Sequence, residues 1–200
     1  TFFAQAMQID LDPETVRIVE TRTEGWAVGL QLAALALQHQ PDRHAFVASF
    51  GGSHRYVLDY LAEEVIRQQD AETRRFLTQT AVLTRFDAAA CEALTGRADS
   101  QALLRQLEQA NLFVVPLDDA RIWYRYHHLF ADYLRTLLTK TEAAALCKQA
   151  AAWCEGNDLT ADAVEYALRC GDVEFAADVV ARALCQGATW SGGNVALLTH

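Results

Sequence analysis

Apolar residues along this chain recur first at helical spacing, then at strand spacing over residues 112–128, then at helical spacing again. "LDPETVRIVETRTEGW" marks a helix with Val16, Ile18 and Val19, with Asp12 placed as its N-cap and Pro13 at its first position. In "GWAVGLQLAALALQ", Leu30, Ala33, Ala34 and Leu37 fall on one helical face, which Leu32 and Leu35 are expected to widen. "QPDRH" and "FGGSH" break the pattern, and Ser53 is positioned to cap the next helix. From there Val57, Leu58, Leu61, Val65 and Ile66 form one stripe, with Asp59, Glu63 and Glu64 outside it. The pattern continues through Phe76, Leu77, Ala81 and Leu83. Asp87 and Gly96 bracket a short helix, and Ser100 is the expected cap of another that ends near Asn111 with Leu103, Leu104 and Leu107 inside.

"LFVVPLDDARIWYRYHH" is rich in aromatic and β-branched residues, and Asp118 and Asp119 divide it, which predicts a β-hairpin. Pro116, which cannot donate to a ladder, suits an edge or turn. Helical spacing resumes with Leu129, Phe130, Tyr133, Leu134 and Leu137. The expected fold is mainly α: a helical piece over residues 1–49, a winged-helix-like domain over 50–140 with one small hairpin, and over 141–200 the start of an αα, TPR-like repeat array. Alanine-rich helices separated by "GND" and "CGD" motivate the last assignment. Two such steps are too few to stand alone, and the chain opens at Thr1 without a methionine, so a piece of a longer protein is expected.

Charge narrows the function. The net charge of −9 opposes phosphate-backbone binding as the main business of these residues. The third winged-helix helix offers only Arg105 beside Glu108, and the hairpin only Arg121 and Arg125 against Asp118 and Asp119. A stand-alone DNA binder is therefore the weaker alternative, and its affinity would be salt-sensitive. Cys91, Cys147, Cys154, Cys170 and Cys185 form no CxxC, so buried, reduced thiols of a cytoplasmic protein are expected. No apolar run has membrane-spanning length. The phosphate-loop, GxGxxG, HExxH and GxSxG patterns are all missing, so no catalytic residue is assigned and no metal site is expected.

His127 and His128 sit at the junction of strand and helix. On chemistry alone they cap the helix, one buried and hydrogen-bonded and the other exposed. A helix N-terminus also favours phosphate, and an imidazole there adds a donor.

"TEGWAVGLQLAALAL", "FGGSHRYVLDYLAEEV", "FLTQTAVLTRFDAAACEALTG", "LLRQLEQANLFVVPLDD" and "WYRYHHLFADYLRTLL" together resemble the MalT-like, ATP-dependent LuxR-type transcriptional regulators, which are signal-transduction ATPases with numerous domains. The resemblance runs from Thr21 to Leu138 and thins to a general helical-repeat likeness from Thr141. It implies the regulatory middle of such a protein. An upstream nucleotide-binding domain would hold ADP or ATP with Mg and act as a slow ATPase. A small-molecule inducer would bind the downstream repeats, and the active state would self-associate. DNA would be read only by a C-terminal helix-turn-helix. In related ATPases a histidine in a hydrophobic-His-Asp-Leu motif contacts the ADP β-phosphate. Tyr126-His127-His128-Leu129 resembles that motif, with His127 on the sensor position and His128 in place of the aspartate. Gly25-Trp26-Ala27 resembles the Gly-x-Pro motif whose proline lies against adenine, which implies an adenine side at Gly25 and Ala27. Without the proline the contact loses area. A helical interaction scaffold indifferent to nucleotide remains the other alternative.

Overall fold

Asp12 begins the first described helix by accepting the Thr15 N–H at 2.9 Å, and Pro13 occupies a position whose N–H would have had no partner. The computed structural model describes residues 11–37 and 55–195. Helix α1 (Pro13–Thr23) ends at Glu24, which is in the left-handed region at φ 48°, and Gly25 follows at φ 74°. α2 (Ala27–Leu37) folds back on α1 and buries Ala33, Ala34 and Leu37 as expected. Leu35 does not widen that face. It is exposed, because at 3.6 residues per turn it points away from the side shared by Ala33 and Leu37. The expected Ser53 cap lies outside the described residues.

α3 (Arg55–Tyr60) runs into a π-helical turn (Leu61–Ile66) where a single α-helix was expected. The Arg67 N–H reaches the Ala62 carbonyl at 3.0 Å, one residue further back than an α-helical bond. Leu61, Val65 and Ile66 all remain buried, and Glu63 and Glu64 stay outside. α4 (Ala71–Thr80), capped by Asp70, buries Phe76 and Leu77. The apolar pattern beyond it is not helical. Ala81, Val82, Leu83 and Phe86 are buried in an irregular segment that pairs with the hairpin, where Phe86 and Tyr124 exchange backbone hydrogen bonds at 2.9 and 2.8 Å.

α5 (Ala88–Thr95) has the expected Asp87 and Gly96 caps. In α6 (Ser100–Gln109), however, Ser100 is the first helical residue and Asp99 precedes it. The Ser100 hydroxyl donates to the Arg97 carbonyl, and no side-chain bond caps the helix at Asp99. The helix stops at Gln109, two residues before Asn111 at φ 53°. β1 (Val114–Pro116) and β2 (Tyr124–Tyr126) form the antiparallel hairpin, with Pro116 in its last pair. Asp118 closes the turn by accepting the N–H groups of Ile122 and Trp123 at 3.0 and 2.8 Å. α7 (His128–Thr136) buries Leu129, Phe130, Tyr133 and Leu134, but Leu137 is the C-cap and is exposed, because the helix ends before its stripe reaches that position. Helices α4 to α6, the hairpin and α7 form the winged helix, and the fold is mostly helical with one small sheet, as the pattern predicts.

α8 (Lys140–Gly156) begins in a capping box between Thr139 and Glu142 and pairs with α9 (Thr160–Arg169) through Ala150, Ala151, Ala163 and Ala167, all essentially buried. α10 (Val173–Val195) packs on α9. The α9 side also touches the winged helix: the Tyr166 hydroxyl accepts the Thr84 N–H at 2.9 Å, and Arg85 pairs with Asp162 at 2.7 Å. All five thiols are free. Four are buried as expected, whereas Cys185 is exposed on α10. No described helix is long and apolar enough to cross a membrane.

Candidate functional site

The two histidines and the "TEGWA" segment, 104 residues apart in sequence, meet in one seam. The α1–α2 turn supplies Thr23 to Ala27, and the end of β2 with the start of α7 supplies Arg125 to Leu129. His127 is the N-cap of α7 and only 6% exposed, and its ring lies edge-on to Trp26 and Phe113. Its Nδ1 accepts the Leu129 N–H at 3.3 Å, so the ring proton is on Nε2, which donates to the Thr23 carbonyl at 2.9 Å. Its own N–H donates to the Phe113 carbonyl at 2.8 Å. Burial holds the His127 pKa below its ordinary value, against the opposing pull of the Thr23 hydrogen bond and the Glu24 charge. The ring is therefore neutral at pH 7.

His128 is half-buried and stacks on His127 at 4.9 Å. One histidine is buried and bonded and the other is more open, which is the division expected of a capping pair. His128 Nδ1 lies 2.7 Å from a Glu24 carboxylate oxygen, and the Arg125 guanidinium grips both oxygens of the same carboxylate at 3.0 Å. Burial alone would raise the Glu24 pKa, but the hydrogen bonds from Arg125 and His128 outweigh it and hold the group at about 2. Glu24 was not singled out in the sequence. Locally it reads as an ordinary charge before a glycine. The one available signal was its place at a helix end that required a left-handed backbone. In space it brings a carboxylate beside His128.

Strained backbone collects at this seam. Glu24 and Phe113 have positive φ (48° and 58°), a conformation that side chains with a Cβ rarely adopt, whereas Gly25, between Glu24 and Trp26, takes φ 74° without strain. Trp26 is wedged between Tyr60, Phe113 and His127, and Gly29 makes room for it, since a Cβ there would lie 2.5 Å from the indole. Gly25 and Ala27 are exposed at the edge of the seam, and nothing lies within 4 Å of where a Gly25 Cβ would stand. The structure thus places His127, Gly25 and Ala27 within one seam, while His127 itself is covered.

Glu24, His127 and His128 bring three potential ligand atoms within 4.8 Å of one another, a cluster that the spacing did not announce. Its geometry does not suit a metal. His127 Nδ1 faces a backbone N–H, so Nε2 carries the proton and has no free lone pair. The two rings are within 15° of parallel, so their in-plane lone pairs run side by side instead of converging.

Of the basic residues that a DNA reader would need, Arg121 pairs with Glu108 and Arg125 with Glu24. A separate cleft of about 340 Å³ between α4 and the α5–α6 connection holds Arg75 and Arg97 together with Glu72 and Asp99, so its charges balance.

Residues 62–146 match the family described as the MalT winged helix domain. An HTH-type transcriptional regulator MalT of Vibrio cholerae is 41% identical over 137 residues, which cover 66% of this chain and 15% of the relative. The MalT of Vibrio campbellii is 38% identical over 137 residues, with the same coverage. A serine/threonine-protein kinase PknK of Mycobacterium tuberculosis is 33% identical over 168 residues, covering 82% of this chain and 15% of that protein. The chain therefore spans about 15% of the length of these relatives.

Proposed function

Residues 62–146 make this chain a member of the MalT winged-helix family, and from that premise we propose that it is the regulatory middle of an ATP-dependent transcriptional regulator. In this reading the seam between the α1–α2 turn and α7 couples the state of a bound nucleotide to opening of the protein. The observation that carries it is the His127 Nε2–H, which crosses 104 residues of sequence to the Thr23 carbonyl beside the exposed Gly25 and Ala27.

That donor has one hydrogen and serves one acceptor at a time. The Thr23 carbonyl and a nucleotide phosphate from an upstream nucleotide-binding domain are then alternative partners, which makes His127 a two-position contact. Gly25 and Ala27 form the adenine side, where the absent proline leaves less surface to cover the base. Mg and the residues that cradle the phosphates belong to that upstream domain, and these residues bind and report without catalysing. The same segment occurs in relatives named as a transcriptional regulator and as a protein kinase, which fits a control module separable from its output.

The helices from α8 onward are proposed as the start of a repeat array that takes a small-molecule inducer. Leu168, Val173 and Leu184 are exposed on the last described helices and fit the stacking of a further helix pair. The Tyr166–Thr84 bonds and the Phe86–Tyr124 bridge connect that array to β2, and β2 leads directly into His127. Self-association in the active state and promoter binding through a separate helix-turn-helix complete the proposal, which places the protein in the cytoplasm.

The test is His127→Ala in the full-length protein, with co-purified ADP and basal transcription as readouts. ADP content should fall several-fold and basal transcription should rise. Unchanged ADP content together with unchanged basal output would refute the sensing role.

A further inference from the structure

We propose that Glu24 is the positioning carboxylate of the seam, a residue that holds Arg125 and His128 from the opposite element and thereby keeps the His127 donor on Thr23. The inference deepens the nucleotide-sensing reading and rests on it for its functional meaning. Four observations converge on it.

Glu24 is the only residue of α1 or its turn that meets three basic side chains of the β2–α7 junction among the described contacts: Arg125 through two bonds at 3.0 Å, His128 at 2.7 Å and His127 at 3.9 Å. The bidentate grip on Arg125 fixes direction as well as distance, because the guanidinium fork and the carboxylate must lie nearly coplanar. Arg125 is in turn anchored to its own strand by donating to the Tyr126 carbonyl at 3.2 Å, so the grip acts on β2 itself. Finally, Glu24 holds its left-handed backbone (φ 48°) at a helix end where glycine or asparagine would be less strained.

The mechanical consequence follows from chain connectivity. The Thr23 carbonyl that receives the His127 proton immediately precedes Glu24, and Arg125 and His128 flank His127 on either side. Two contacts to one carboxylate therefore bracket the His127–Thr23 bond. Without the carboxylate, the His127–Thr23 bond would lose both charged contacts that bracket it.

The experiment uses the intact chain with Glu24→Gln, Arg125→Gln and the double substitution, read by amide hydrogen exchange and by ¹⁵N shifts of the histidine rings. Glu24→Gln should raise exchange at residues 26–30 and 129–131 by about tenfold to a hundredfold, as expected for loss of hydrogen bonds to a charged group. The His128 ring should leave its Nδ1–H tautomer, exchange in α8 and α9 should not change, and the double variant should exchange no faster than Glu24→Gln. Glu24→Asp should restore part of the protection, whereas Glu24→Asn, which suits the left-handed backbone as well but carries no charge, should not, the opposite of what a role in backbone geometry alone would produce. Unchanged seam exchange in Glu24→Gln, or independent additive effects of the two substitutions, would overturn the proposal. Should Glu24→Gln fail to fold, Arg125→Gln and His128→Gln remove the same contacts from the other side, and protection retained in both would overturn it equally. A loosened seam with unchanged ADP retention in the full-length protein would support Glu24 as the positioning residue and refute the nucleotide-sensing reading instead.

Discussion

Phe130→Ala should lower the unfolding free energy of the winged helix by about 3–5 kcal/mol, the usual cost of deleting a fully buried aromatic ring. Phe130 is 0% exposed, stacks on Phe113 at 5.1 Å and meets Tyr126 edge-on at 5.7 Å. Those neighbours set the size of the effect. Phe113 already has a strained backbone, and its carbonyl holds the His127 N–H, so it cannot move into the space left by the ring. Tyr126 is fixed by its hydroxyl contact with Thr80 at 2.7 Å and by the Phe86 ring at 4.7 Å. A cavity that cannot collapse is the costly kind. In urea, the midpoint should fall by about 1–5 M for a slope of roughly 1–3 kcal/mol/M. A loss below about 1 kcal/mol would mean that α7 does not pack on the hairpin as described.

The second large effect is acid lability centred on the seam. His127 has its pKa depressed by burial, so between its unfolded and folded values the unfolded chain binds more protons. Its contribution is fully present above the unfolded value of about 6.5 and is lost as pH falls below it. Glu24 is also depressed, from 4.5 to about 2, by Arg125 and His128 working against burial. Its contribution is present above 4.5 and is lost as pH falls from there towards about 2. A shift of that size corresponds to about 3 kcal/mol at 1.36 kcal/mol per unit, and solvent screening of a largely accessible pair reduces it to roughly 1–2 kcal/mol. Thermal melts followed across pH 8 to 3 should therefore show two descending limbs (about pH 6.5 and 4.5 at their upper ends). Glu24→Gln should make the lower limb shallower without removing it, because Asp12, Asp70, Asp118 and Asp172 also have lowered pKa values, and His127→Gln should flatten the upper. A melting temperature independent of pH down to about 3 would contradict both assignments.

Local signals in the sequence were read correctly where one element settles its own geometry. Asp12 with Pro13, Asp87 with Gly96, the Asp118 turn and the apolar stripe of α7 from Leu129 to Leu134 all involve neighbours within a few residues, and each behaves as its chemistry requires. Failures came where a distant partner decided the outcome. Residues 81–86 carry a helical stripe, yet Phe86 joins the hairpin because Tyr124 offers it two backbone bonds. Ser100 is a local exception: it is the first residue of its helix, and its hydroxyl donates to the Arg97 carbonyl three residues back. The π-helical turn at Leu61–Ile66 buries three large side chains, and periodicity alone does not distinguish it from an α-helix.

The candidate site was half legible. His127 stood out by its place at a strand–helix junction, and the structure places Gly25 and Ala27 in the same seam. Glu24 was not legible, since its significance lies wholly in contacts made 101 and 104 residues away.

The central claim is that nucleotide state and the His127–Thr23 contact are coupled. The most direct test is hydrogen exchange on the unmodified full-length protein, loaded first with ADP and then with a non-hydrolysable ATP analogue. Amides at residues 24–30 and 127–131 should exchange at clearly different rates in the two states, while those of α8 and α9 change little. Identical exchange across the seam with both nucleotides bound would contradict the account.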